Sequence, residues 1–173
     1  MKFKKNNLLS LDKFIEECLY NKKFGYYMKN NPFGEKGDFI TAPNVSVLFS
    51  EIIAIWIISF WKNLKYPEKF NLIELGSGNG EMMRIIVNTI NKFPQLKGCC
   101  NLKILEKSKL LKKIQKRTIK NKKVKWLNNL DELDHLPCIF IANEFFDALP
   151  IKQFINIKNR WYERHVKFGN EKK

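Results

Sequence analysis

Apolar and polar residues recur with two different periods along this chain, and each change of period marks an element. Leu11, Phe14, Ile15, Cys18 and Leu19 fall at i, i+3, i+4, i+7 and i+8, which predicts a helix running to about Tyr20, with Ser10 placed to cap it. Asn21 to Pro32 is aromatic and turn-rich, centred on Phe24-Gly25-Tyr26-Tyr27. Gly37-Asp38-Phe39-Ile40-Thr41-Ala42-Pro43 has the composition of a fixed loop, either a cap on the next helix or a lid over a ligand. From Asn44 to Leu64, Val47, Leu48, Ile52, Ile55, Trp56 and Phe60 belong to a run that reads as a buried core helix. Its unbroken apolar stretch falls well short of the ~20 residues of a membrane span.

Beyond Tyr66-Pro67-Glu68 the pattern changes to short apolar runs separated by helices. Phe70 to Leu75, Asn101 to Glu106, Val124 to Leu127 and Pro137 to Ala142 read as strands. Helices are predicted from Glu81 to about Phe93, where Pro94 stops the run, and from Ser108 to about Lys120. Such alternation builds an open, Rossmann-like α/β sheet of parallel strands. Ile151–Ile157 and Arg160–Val166, joined by Lys158-Asn159, read as a C-terminal β-hairpin, with a polar tail after it. The expected organisation is an N-terminal helical or lid segment over residues 1–66 and a cofactor-binding core over 67–173.

The chemistry concentrates where the first of these strands ends. Ile73-Glu74-Leu75-Gly76-Ser77-Gly78-Asn79-Gly80 passes from strand through three alternating glycines into a helix. A dinucleotide fingerprint has one more residue, G-x-G-x-x-G, and the P-loop pattern G-x-x-x-x-G-K-[ST] is absent from the sequence. Glycines there let a ligand approach backbone N–H groups closely. Glu74, two positions before Gly76, would repel a pyrophosphate but suits a ligand with an ammonium and a sulfonium, which describes S-adenosylmethionine. A tight strand-to-helix turn without a ligand is the simpler alternative. Glu106 closes the second strand, where an acid takes the ribose hydroxyls in such folds, or else is a surface glutamate. Asn128, Asn129 and Asp131 follow the third strand and could reach an adenine. The fourth strand delivers Asn143-Glu144-Phe145-Phe146-Asp147-Ala148-Leu149-Pro150, two acids beside an amide and two aromatics, which reads as a substrate site or as an N-capped helical turn.

Composition changes this picture little. The chain has 173 residues and is 45% hydrophobic and 28% charged, values of a folded domain. Its net charge of +15 hints at nucleic acid, but only Arg84, Arg117, Arg160 and Arg164 are arginine and the other 28 basic residues are lysine. Base-reading sites favour arginine, so no specific nucleic-acid partner is expected. Cys18, Cys99, Cys100 and Cys138 form no C-x-x-C, His135 and His165 stand apart, and no metal site is expected. The basic N-terminus is not followed by an apolar core, so neither a secretory signal nor a membrane span is expected, and the location expected is the bacterial cytoplasm.

Four blocks together resemble the MidA-like family of class I S-adenosylmethionine-dependent methyltransferases, which includes a mitochondrial assembly factor for respiratory complex I. They are Phe24–Tyr27, Gly37–Pro43, Ile73–Gly80 and Ala142–Pro150. Asn44 and Ser50 stand where the family pattern has an acid and a glycine; Ser77 and Asn79 replace a proline and an arginine. Family members are longer, so the resemblance implies a C-terminally shortened homologue of the class I methyltransferase sheet, with helices on both faces. It also implies protein arginine methylation, with a respiratory complex I subunit or similar protein as substrate and a homodimer among the expected assemblies. On this basis Glu74, Gly76, Gly78 and Gly80 would hold the methionine end of S-adenosyl-L-methionine and Glu106 the ribose. Asp38 and Thr41 would line it from the lid side, and Glu144 and Asp147, with Asn143, would hold the acceptor guanidinium. A non-catalytic assembly protein and an RNA methyltransferase are the competing readings.

Overall fold

A computed structural model describes residues 8–96 and 98–169. Along the chain they form β1 (Leu8–Ser10), α1 (Leu11–Tyr20), α2 (Tyr26–Lys29), α3 (Ala42–Val45), α4 (Val47–Asn63), β2 (Phe70–Leu75), α5 (Glu81–Ile90) and β3 (Cys100–Leu105). There follow α6 (Lys109–Ile119), β4 (Lys125–Leu127), β5 (Cys138–Ile141), β6 (Phe154–Ile157), β7 (Arg160–Glu163) and β8 (His165–Lys167). The predicted tail beyond Gly169 lies outside the described residues.

These elements group into two compact units, one of residues 31–145 and one joining the described residues up to 30 with those from 146 on. The grouping differs from the boundary expected between 66 and 67. Its cause is a pairing that short, mixed strands do not advertise: β1 lies antiparallel to β8, with Leu9 opposite Val166. In this smaller unit Tyr20 also donates its hydroxyl to the Ala148 carbonyl at 2.9 Å. Gly25 is fixed by crowding, since a Cβ would meet Asn21 N at 2.5 Å. β6 and β7 form the expected hairpin, turning through Lys158 and Asn159, both at positive φ as a two-residue type I′ turn requires. Ser10 does occupy the N-cap position of α1, but its side chain makes no capping bond to the helix backbone.

The larger unit carries a four-stranded parallel sheet in the order β4-β3-β2-β5. Parallel strands buried on both faces are apolar throughout rather than alternating, and all six residues of the central β2 are buried. Its core joins Phe70, Leu72, Ile104, Ile139 and Ile141 of the sheet to Met83, Ile86 and Ile90 of α5 and Ala54 and Ile57 of α4. Two buried polar strand residues share one partner: Asp134 accepts from Asn71 at 2.5 Å and from Lys103 at 3.4 Å. α6 opens on a working cap, with Ser108 Oγ accepting from Leu111 N at 3.2 Å.

The long helix expected from Asn44 needs correcting in two respects. Ser46, with φ −142°, breaks it into α3 and α4. It is also not buried all round. Ser50, Ala54, Ile57, Ile58 and Trp61 face the core, while Leu48 (61% exposed), Ile52, Ile55 and Trp56 face outward. A helix apolar on every side carries no periodic signal of which side is covered, and here the sheet and α5 cover one.

Candidate functional site

β2 ends at Leu75 and the chain turns through Gly76, Gly78 and Gly80 at φ of 66°, 52° and 88°, all left-handed. Each glycine also meets a neighbour that a side chain would strike. A Cβ on Gly76 would come within 2.6 Å of the Phe145 ring, on Gly78 within 3.3 Å of the Phe33 ring, and on Gly80 within 3.1 Å of Gln115 Cα. Left-handed backbone and close approach together leave glycine the residue that fits. The bend is closed by Gly80 N donating to Ser77 O at 2.7 Å, and Gly80 then caps α5. Glu81 in the first turn of α5 meets the positive end of its dipole and pairs with Arg84.

Under the bend lies Glu74, 2% exposed, its Oε2 accepting from Ser77 Oγ at 2.6 Å. Burial pushes its carboxyl up to about 7; the Ser77 hydroxyl opposes the rise and the charge of Glu106 adds to it. Glu106, one residue beyond β3, is itself raised by burial, against hydrogen bonds from Ser108 N at 2.8 Å and Gln115 Nε2 at 3.0 Å. Glu74 and Glu106 thus place two buried acids near the bend, neither bonded to a cation among the described residues, and a positive ligand beside Glu74 would favour its ionised form.

Glu74, Gly76, Gly78, Thr41, Asn143 and Glu144 line one crevice, together with Ser77, Asn79, Asn44, Pro43, Phe33 and Met82. The enclosed space within it is about 40 Å³, and the Phe33 and Phe145 rings lie against the glycines. Glu144 takes φ 50°, a backbone that a non-glycine residue adopts at a cost, and Asn143 Nδ2 donates to its Oε1 at 3.3 Å. Beside this crevice, Phe49, Ile53, Trp56, Ile141 and Ala142 line a wider apolar hollow of about 320 Å³ that shares Met82 and Asn143 with it.

Not every residue singled out in the sequence gathers here. Gly80 and Glu106 sit behind the lining. Asp38 is exposed and outside it, whereas Thr41, from the same loop, lines it and also precedes α3. At the N-cap position of α3, Thr41 makes no side-chain capping bond to the helix backbone. Asp147 belongs to the smaller unit, where its charge raises the Tyr27 hydroxyl further after burial has done so. Asn128 and Asn129 are occupied in a cap: both backbone N–H groups donate to Glu132 Oε1, at 2.7 and 3.2 Å. Sequence reasoning missed Phe33, Gln115 and the Asn44–Asn79 contact, and of these only Asn44 and Asn79 carried a signal, as departures from the family pattern.

A parallel sheet whose central strand passes through a left-handed glycine bend into a helix, with acids ending adjacent strands, defines a Rossmann-like fold of the nucleoside-ligand class. Residues 52–173 match the model of the family described as "Putative S-adenosyl-L-methionine-dependent methyltransferase", and the chain belongs to that family. It is 30% identical, over 94% of its length, to the mitochondrial protein arginine methyltransferase NDUFAF7 of Xenopus laevis. To the Drosophila melanogaster homologue of that protein it is 31% identical over 87%. The chain spans 43% and 39% of these two relatives. Its fold matches a "COG1565 superfamily member and likely methyl transferase" of Burkholderia thailandensis, solved with S-adenosyl-homocysteine, at a TM-score of 0.73 and 20% identity, covering 96% of this chain and 47% of that one.

Proposed function

We propose that this chain is an S-adenosylmethionine-dependent methyltransferase whose acceptor is an arginine of a protein, with a respiratory complex I subunit the substrate that the resemblance suggests. The observation that carries it is Glu74, a buried acid with no cation partner among the described residues, beneath three left-handed glycines. Bound there, the cofactor supplies an electrophilic methyl group on a sulfonium. Glu74, steadied by Ser77, meets the ammonium of the methionine end, and the Gly76–Gly80 backbone lies along it. Glu106 takes the ribose from the end of the neighbouring strand, and Thr41 with Pro43 forms the opposite wall. The protein names of the curated relatives support a protein arginine acceptor. A guanidinium stays charged at neutral pH and offers a planar fork of donors, which the Glu144 carboxylate, backed by Asn143, can hold and aim. Alignment and exclusion of water are then the main tasks left to the protein.

Calorimetry with S-adenosylhomocysteine and transfer of labelled methyl to extracted proteins test this reading. Binding by the wild type, lost in Glu74→Gln, and transfer lost in Glu144→Gln with binding kept, are the expected results. No binding by the wild type would overturn it. A second reading, a cofactor-binding protein without turnover, is favoured by the exposed apolar face of α4. Binding without transfer to any extract would favour that reading.

A further inference from the structure

Gln115 lies in α6, a helix that its lysines make look solvent-facing, yet it is 0% exposed. Its side chain is fully engaged. Nε2 donates to the Gly78 carbonyl and to Glu106 Oε2, both at 3.0 Å, and Oε1 accepts from Trp126 Nε1 at 2.8 Å. A primary amide has two N–H donors, and here one goes to the glycine bend and the other to the acid after β3. The backbone reinforces the contact, since Gly80 packs so closely on Gln115 Cα that a Cβ would crowd it at 3.1 Å. Across a trans peptide the carbonyl and the next N–H point in opposite directions. Holding the Gly78 carbonyl towards α6 therefore turns the Asn79 N–H away from α6. Holding Glu106 Oε2 fixes one carboxylate oxygen, while Ser108 N fixes the other at 2.8 Å.

We infer that Gln115 is a positioning residue for nucleoside specificity: it locks the glycine bend and the ribose-directed acid into one geometry, with Trp126 setting the orientation of its amide. This rests on the reading of the crevice as an adenosyl site. It adds that selectivity for the ribose is set by a side chain that never touches the ligand. A buried amide contributing only to stability would weaken every ligand equally, whereas a positioning amide weakens recognition of the group that Glu106 faces.

The test compares S-adenosylhomocysteine with its 2′-deoxyadenosyl analogue by calorimetry on the full chain, in the wild type, Gln115→Leu and Trp126→Phe. The ratio of the two affinities does not depend on the fraction of protein folded. A hydrogen bond to a charged group, such as that from Gln115 to Glu106, is worth about tenfold to a hundredfold in an equilibrium constant. Gln115→Leu is expected to lose about tenfold or more for S-adenosylhomocysteine and much less for the deoxy analogue, bringing the ratio towards one. Trp126→Phe, which keeps Gln115 but frees its amide, is expected to lose part of the same ratio, and it carries the test if Gln115→Leu does not fold. An unchanged ratio in the folded variants, with only thermal stability lowered, would overturn the inference. If the wild type binds neither ligand, the adenosyl reading falls first and this one with it.

Discussion

Asn79 donates through Nδ2 to Oδ1 of Asn44 at 2.7 Å, joining the glycine bend to the segment that follows the Gly37–Pro43 loop. The amide orientations are fixed by their other bonds: Asn79 Oδ1 accepts from Glu81 N at 3.2 Å, and Asn44 Nδ2 donates to Thr41 Oγ1 at 2.9 Å. Both are positions where the sequence departs from the pattern that the resemblance implies, an acid at 44 and an arginine at 79, and here they meet as a neutral amide pair. Asn44→Leu, which removes the acceptor for Asn79 and the donor to Thr41, should weaken ligand binding by about 1 kcal/mol, the worth of a typical hydrogen bond. Asn44→Asp with Asn79→Arg, which sets an ion pair in the same place, should keep the affinity but make it fall as salt rises. Calorimetry at low and high ionic strength checks both arms; a double variant that binds as weakly as Asn44→Leu would show that the pair does not act as a latch.

Phe33 and the glycine bend compete for the same space. The ring lies against Gly78, and the loop that carries it is held by Gly34 N donating to Phe39 O and Phe39 N donating to Pro32 O, at 2.9 and 2.8 Å. The enclosed part of the crevice, about 40 Å³, is far smaller than a nucleoside ligand needs, so the ring is expected to move when a ligand enters. Phe33→Ala should accordingly raise the association rate of S-adenosylhomocysteine by about tenfold, because the binding-competent arrangement no longer has to be selected. Stopped-flow measurement of tryptophan emission gives the rate. A rate equal to that of the wild type would mean that the ring is not the gate.

The glycine bend with its flanking strand and helix was legible because it depends on local chemistry: three alternating glycines after an apolar run that ends near an acid. Residues whose role is set by distant partners were not. Gln115 sits between Ile114 and Lys116 and has the appearance of a surface residue, until Gly78, 37 positions earlier, and Trp126 are brought to it. Asn71 and Lys103 look misplaced inside apolar strands, and only Asp134, folded against both, satisfies them. The outward face of α4 was invisible for the opposite reason, since its residues are as apolar as those of the inward face.

That difference between the faces of α4 is measurable. Ile57 is 0% exposed in the core and Ile55, two residues away, is 50% exposed. Ile57→Ala should cost about 2–5 kcal/mol from lost burial and the cavity left behind. Ile55→Ala, on an open face, should cost about 0.5 kcal/mol or less. Urea unfolding of dilute protein separates them. Equal costs, particularly if they depend on protein concentration, would show that the outward face is covered in solution.

Glu74 gives the site a pH dependence whose sign follows from its raised carboxyl. With the folded value at about 7 and an ordinary carboxyl near 4.5, the folded chain holds a proton there that the unfolded chain has released. Between those values stability therefore falls as pH rises, and the cost is complete above about 7. A shift of this size corresponds to about 3 kcal/mol, and Glu74→Gln should abolish that part of the slope. Ligand binding must show the opposite trend. A cationic ligand favours the ionised carboxylate, so affinity for S-adenosylmethionine should rise as pH increases from about 6 to 8, and binding below 7 should release up to one proton. Calorimetry in buffers of different ionisation enthalpy counts that proton directly. Proton uptake, or an affinity independent of pH, would mean that Glu74 does not face the positive end of the ligand.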